Sequence, residues 1–167
     1  MALTIDDYRA PPAPDHQDVA CELLTILRAW ARRQGLGKVF AAPLDVYLSR
    51  HDVVQPDLFY IAKERLTIIR EDGIYGAPDL VVEVLSPATA RIDRTRKMEL
   101  YRQAGAKEAW LVEALSHRII SLGLSPDTED SVRIWSGRQK LVSPVLPGFE
   151  VEVSTIFDCA SVYPRGD

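Results

Sequence analysis

The sequence predicts an α/β domain, an α+β arrangement with a mixed central sheet flanked by helices and further strands at the C-terminal end. Three observations predict it. Residues 79–85, Asp-Leu-Val-Val-Glu-Val-Leu, form an apolar, β-branched run bounded by Pro78 and Ser86-Pro87, the pattern of a strand covered on both faces. Residues 91–104 follow with helical periodicity and stop at Gly105, and 108–113 is a second apolar run. Together they make a strand–helix–strand unit with parallel strands and a right-handed crossover. A longer amphipathic helix precedes this unit and strands without helices trail it, the element order of a mixed sheet.

In chain order, residues 1–14 read as an extended lead-in, because Pro11, Pro12 and Pro14 oppose a helix. Asp15 reads as an N-cap for a helix over 16–34, whose apolar stripe is Val19, Leu23, Leu27, Trp30 and Ala31 and whose stop is Gly35. Residues 38–42 and 44–49 are short strand candidates split by Pro43, and 53–62 is an extended run in which Pro56 marks a strand start, bulge or edge. Residues 66–69 read as a short strand and 70–76 as a loop. After the strand–helix–strand unit, 117–124 is expected as an antiparallel strand, followed by 132–136, a turn at Gly137, and a short segment docking at 151–157. No repeat, low-complexity tract or linker divides the chain, so 15–167 is expected to be one domain.

The chain has 167 residues, a length that suits one core and is short for two. No run of about 18 apolar residues is present, so no membrane span is expected. The N-terminus lacks the charged and apolar regions of a signal peptide. Cys21 and Cys159 stand far apart without metal-ligand spacing and read as reduced thiols, so the cytoplasm is the expected location and zinc is not expected. The formal net charge of −4 argues mildly against a general nucleic-acid coat protein. Two basic stretches stand out from that acidic body: 28–38, with Arg28, Arg32, Arg33 and Lys38, and 91–102, with Arg91, Arg94, Arg96, Lys97 and Arg102. They suit a phosphate backbone, or are solvated helix faces.

Glu83 sits in the middle of the buried strand run, where an unpaired carboxylate costs on the order of several kcal/mol. Lys97, Leu100, Tyr101 and Ala104 share one face of the next helix at i, i+3, i+4, i+7, so Lys97 points inward with them. The pair is either a site or a buried ion pair. Asp57 heads an apolar strand as a turn cap or as a second carboxylate. Two such carboxylates on adjacent strands, with the Val84 carbonyl as a third oxygen donor, suit one Mg²⁺. A nearby lysine can orient a water or meet charge that develops on a phosphate. Glu22 neighbours the stripe of the first helix and is a solvated acid or an outer member of the site. His16, His51 and His117 are read as surface or satisfied core groups, with a charge on His16 disfavoured by the helix start. The three tryptophans are read as core.

The segments VVQPDLFYI, GAPDLVVEVLSPAT, DRTRKMELYRQAG and EAWLVE, in that order and spacing, resemble the Uma family of bacterial "putative restriction endonucleases" in the PD-(D/E)xK nuclease superfamily. The resemblance spans about residues 16–157. It implies the restriction-endonuclease-like fold and Mg²⁺- or Mn²⁺-dependent hydrolysis of phosphodiester bonds in DNA. It assigns Asp57 and Glu83 as metal-binding carboxylates and Lys97 as the catalytic lysine. The superfamily's usual lysine place, two residues after the second acid, is Leu85 here, so the amine has moved to the helix. Asp79 and Tyr101 match the family's pattern as well. Asp79 stands about 13 Å along the strand from Glu83, so it is an outer ligand or a cap at the strand entrance. Ala109 and Glu113 depart from the family's more frequent tyrosine and aspartate. On this resemblance Arg91, Arg94, Arg96, Arg32 and Arg33 contact DNA phosphates, and a homodimer serves two-strand cutting. The rival expectation is a binding or assembly module that keeps the fold without turnover.

Overall fold

The computed structural model describes residues 14–85, 91–126 and 131–158, with residues 91–94 described as backbone alone. The expectations for residues 1–13 and for Cys159 lie outside these residues.

Helix α1 (Pro14–Gln34) begins at a proline that the sequence reading placed in the lead-in. Proline suits a first helical turn, where its missing N–H has no partner to lose. Asp15 therefore lies within the first turn, not at the cap. The stripe Val19, Leu23, Leu27, Trp30 and Ala31 is buried as expected, and Gly35 ends the helix at φ 64°.

A six-stranded sheet forms the centre: β1 (Gly37–Ala41), β4 (Leu58–Ala62), β7 (Leu80–Leu85), β8 (Glu108–Glu113), β9 (Arg118–Gly123) and β10 (Val132–Ser136), in that spatial order. Only β7 and β8 are parallel, joined by helix α2 (Arg91–Ala104), and every other neighbouring pair in the sheet is antiparallel. One face packs on α1 and on α3 (Val153–Phe157), through Leu58, Tyr60, Leu80, Val82, Trp110, Val112 and Ile119. Val81 and Ala109 face the other way and pack with Tyr101 of α2. This alternation is the strand period of two at work, and it turns Glu83, two residues after Val81, toward α2.

A second sheet covers Phe59 and Ile61. It consists of β2 (Val46–Tyr47), β3 (Val53–Val54), β5 (Ile69–Arg70) and β6 (Gly73–Tyr75), with β2 and β6 parallel. Several local expectations are corrected here. The run 53–62 splits at Pro56-Asp57, because β3 belongs to the small sheet and β4 to the large one. Residues Lys63–Ile68 are a 3₁₀ helix, not a strand. Residues 70–76 are not a loop, since β5 and β6 form a hairpin across Glu71-Asp72. Strands β11 (Lys140–Val142) and β12 (Glu150–Glu152) pair with each other and lead into α3. Among the described residues no helix is long and apolar enough to cross a membrane.

Candidate active site

Glu83 is only 8% exposed, and α2 supplies its partners. Lys97 Nζ stands 3.2 Å from Oε2 and 3.4 Å from Oε1, and the Tyr101 hydroxyl donates to Oε1 at 2.6 Å. Both come from one helical face because they are four residues apart. Burial pushes the Glu83 carboxyl above its ordinary value, and the Asp57 charge adds to that. Lys97 and the Tyr101 hydroxyl pull the other way without overcoming it.

Asp57 arrives from the next strand. The β4–β7 register runs Tyr60↔Leu80, Phe59↔Val81, Leu58↔Val82, so one further step sets Asp57 opposite Glu83. The ladder ends there, and the Asp57 side chain takes over its role. Its Oδ2 accepts from the Val84 N–H at 2.7 Å. Proline at position 56 cannot donate to a ladder, which is why the chain leaves the sheet at this point.

A residue to which the sequence reading gave no role completes the cluster. His16, in the first turn of α1, places Nε2 at 3.5 Å from Asp57 Oδ2. The Asp57 carboxylate beside it raises its pKa, burial works against that, and the Val84 carbonyl and the Glu83 charge add to the rise. The sequence expectation weighed only the helix start, whereas the folded chain sets the Asp57 carboxylate beside the ring, which favours the charged form. A signal was present, because His16, Val19 and Leu23 fall at i, i+3, i+7 on the inward stripe.

Asp79 lies apart from this cluster. It is fully buried, accepts from the Ala62 N–H at 2.8 Å, and pairs through Oδ1 with Arg65 at 3.1 Å and Lys107 at 2.8 Å. These contacts are those of a cap at the strand entrance. Desolvation works to raise its pKa, but the Ala62 N–H, Lys107 and Arg65 together hold it below the usual value. Among the described residues, no hydrogen bond or ion pair ties Glu22 to the cluster. Arg96 is exposed on α2 beside Lys97. Arg91 and Arg94 share that helix, with side chains outside the described residues. Arg32 and Arg33 are exposed in the last turn of α1, about 24 Å along the axis from His16, so the fold does not bring them to the cluster.

The groups that could hold a divalent cation are the Asp57 and Glu83 carboxylates and the Val84 carbonyl. They are hard oxygen donors at the ends of neighbouring strands, the chemistry that Mg²⁺ and Mn²⁺ take. Among the described residues no three His, Cys, Asp or Glu side chains enclose a ready-made metal site. That is compatible with an ion held by one or two carboxylates and several waters.

The Uma2 family, described as "Putative restriction endonuclease", matches residues 8–154. The chain belongs to this family. No curated protein sequence matches the chain. Among solved structures it is similar to a putative nuclease belonging to DUF820 from Anabaena variabilis ATCC 29413, with a TM-score of 0.76 and 14% identity over 93% of this chain and 89% of that one. That likeness shows the restriction-endonuclease-like fold. The Uma2 match spans α1 through β12, so it includes every residue of the cluster.

Proposed function

We propose that this Uma2 protein is a metal-dependent endonuclease that hydrolyses phosphodiester bonds in DNA. The observation that carries the reading is the buried Glu83, gripped by Lys97 and Tyr101 of α2, with Asp57 opposite it in the sheet register. A carboxylate placed at that cost in a central strand, with a cation and a second acid beside it, fits a site better than a packing role.

On this reading Asp57, Glu83 and the Val84 carbonyl hold Mg²⁺ or Mn²⁺. The bound ion supplies charge neutralisation on the phosphate and a water of lowered pKa. Lys97 is about one third exposed, so its ammonium can face both Glu83 and solvent. It holds the attacking water in line or meets the charge that develops on the phosphate oxygens. Tyr101 fixes the rotamer of Glu83. Arg96, with Arg91 and Arg94 on the same helix, contacts the phosphates that flank the scissile one. A second copy of the chain serves the opposite strand of a duplex, and the cytoplasm is where this substrate is met.

The test is cleavage of labelled single- and double-stranded DNA with Mg²⁺ or Mn²⁺, beside EDTA and the Glu83→Gln and Lys97→Met variants. Metal-dependent cutting by the wild type, lost in both folded variants, supports the assignment. DNA binding without cutting under any metal leaves a binding module. Neither cutting nor metal binding leaves Glu83 and Lys97 as a structural ion pair.

A further inference from the structure

His16 stands against two of the proposed donors, yet its own contacts are incomplete. Its Nε2 lies 3.5 Å from Asp57 Oδ2, too long for a well-formed hydrogen bond, and its Nδ1 is buried without a hydrogen-bond partner among the described residues. The side chain is 13% exposed, and that of Asp57 25%, so the gap between them opens toward solvent only partly. Beside the Asp57 and Glu83 carboxylates and the Val84 carbonyl, the imidazole is the further side-chain donor at this end of the sheet.

We infer that His16 is a ligand of the divalent cation and that its nitrogen makes the pocket prefer Mn²⁺ to Mg²⁺. This rests on the metal-dependent reading above. Two atoms bound to one ion at about 2.1 Å each stand about 3 Å apart at a right angle, and farther apart as the angle opens. The observed 3.5 Å falls within that range with no shift of α1 against the sheet. Mg²⁺ takes oxygen ligands and gives up water reluctantly, whereas first-row transition ions accept imidazole as well. Carboxylate, carbonyl and water keep the pocket in the Mg²⁺ and Mn²⁺ class, and one nitrogen tips the choice. The rival role for His16 is a structural one, a contact that pins the start of α1 to the end of β4.

The experiment measures Mn²⁺ and Mg²⁺ affinities of the full chain by calorimetry, for the wild type, His16→Gln and His16→Ala, with metal-free melting curves as the check on folding. His16→Gln keeps a hydrogen-bonding side chain near Asp57, so it preserves a structural contact while it removes the nitrogen ligand. The expected result is wild-type binding about tenfold or more tighter for Mn²⁺ than for Mg²⁺, with both variants losing most of that preference by weakening Mn²⁺. A ratio unchanged in both folded variants overturns the inference and leaves the metal site standing. Wild-type binding of neither ion overturns the metal site itself, and this inference with it.

Discussion

The Tyr101 hydroxyl donates to Glu83 Oε1 across 2.6 Å, from a side chain that is fully buried. A donor at that point favours the ionised carboxylate that burial disfavours. Tyr101→Phe removes it and leaves the ring packing in place. The expected cost is about 1–2 kcal/mol of stability, read from urea melts. The Glu83 folded pKa already lies above 4.5, so its stabilising contribution is fully present below 4.5 and is lost as pH rises through the folded value. The substitution raises that value further. The acid limb of the cleavage profile should shift to higher pH in the variant, and an unmoved limb would show that Tyr101 does not act through Glu83.

Lys97→Met separates chemistry from packing. The thioether chain replaces the lysine stem, and Glu83 is free to protonate once the ammonium is gone. Lys97 is about one third exposed, so the stability loss should stay below about 1 kcal/mol. Cleavage should fall about 100-fold or more. Initial rates and melting curves on the same preparation check both, and a rate within threefold of wild type would remove Lys97 from the mechanism.

The parts of the molecule that were legible in the sequence are those where a period repeats. Strand β7, helix α2 and strand β8 each run for six residues or more, long enough for alternation or a helical stripe to appear. The same periodicity turned Lys97 and Tyr101 inward to meet Glu83. The small sheet was not legible, because β2, β3 and β5 are two residues long and β6 three. Such strands exist through their partners, and the β2–β6 pairing joins segments far apart in the chain. His16 shows the other limit. Its position on the buried stripe could be read, but its approach to Asp57 is a tertiary contact between α1 and the end of the sheet. Asp79 shows the same limit. Its spacing from Glu83 excluded a close ligand, while Arg65 and Lys107 became its partners only through folding.

Asp79→Asn should cost stability and spare cleavage. The amide oxygen can still accept from the Ala62 N–H, while Arg65 and Lys107 lose their counter-charge. Lys107 is half exposed and Arg65 one third exposed, so about 2 kcal/mol is expected, less than for a fully buried pair. The Asp79 folded pKa is below 3.8, so its contribution is present above pH 3.8 and is lost as pH falls through the folded value. The wild-type melting temperature should therefore drop in that acid window, with a flatter profile for the variant. Cleavage at neutral pH should stay within about threefold, because Asp79 lies about 13 Å along β7 from Glu83. Loss of cleavage in a folded Asp79→Asn protein would return it to the site.

Gly37→Ala tests the register that brings Asp57 to Glu83. A Cβ at Gly37 would stand 2.2 Å from the Ile61 carbonyl oxygen and 2.7 Å from the Tyr60 ring. The first neighbour is backbone, and Tyr60 is held by its hydroxyl bond to the Leu36 carbonyl, so neither can yield cheaply. Relief requires β1 to part from β4 at the Gly37↔Ala62 end of their ladder. That ladder runs to Ala41↔Leu58, and the Ala42 N–H then bonds to the Asp57 carbonyl at 3.0 Å, so displacement at one end reaches the residue opposite Glu83. The expected loss is about 2–3 kcal/mol in urea unfolding. Cleavage by the folded fraction should also fall. Gly137→Ala is the control: among the described residues it meets no atom within 4 Å, and it carries only the strain of φ 57°, about 1 kcal/mol, far from the cluster. Equal losses in the two variants would mean that close approach at Gly37 does not set the β1–β4 register.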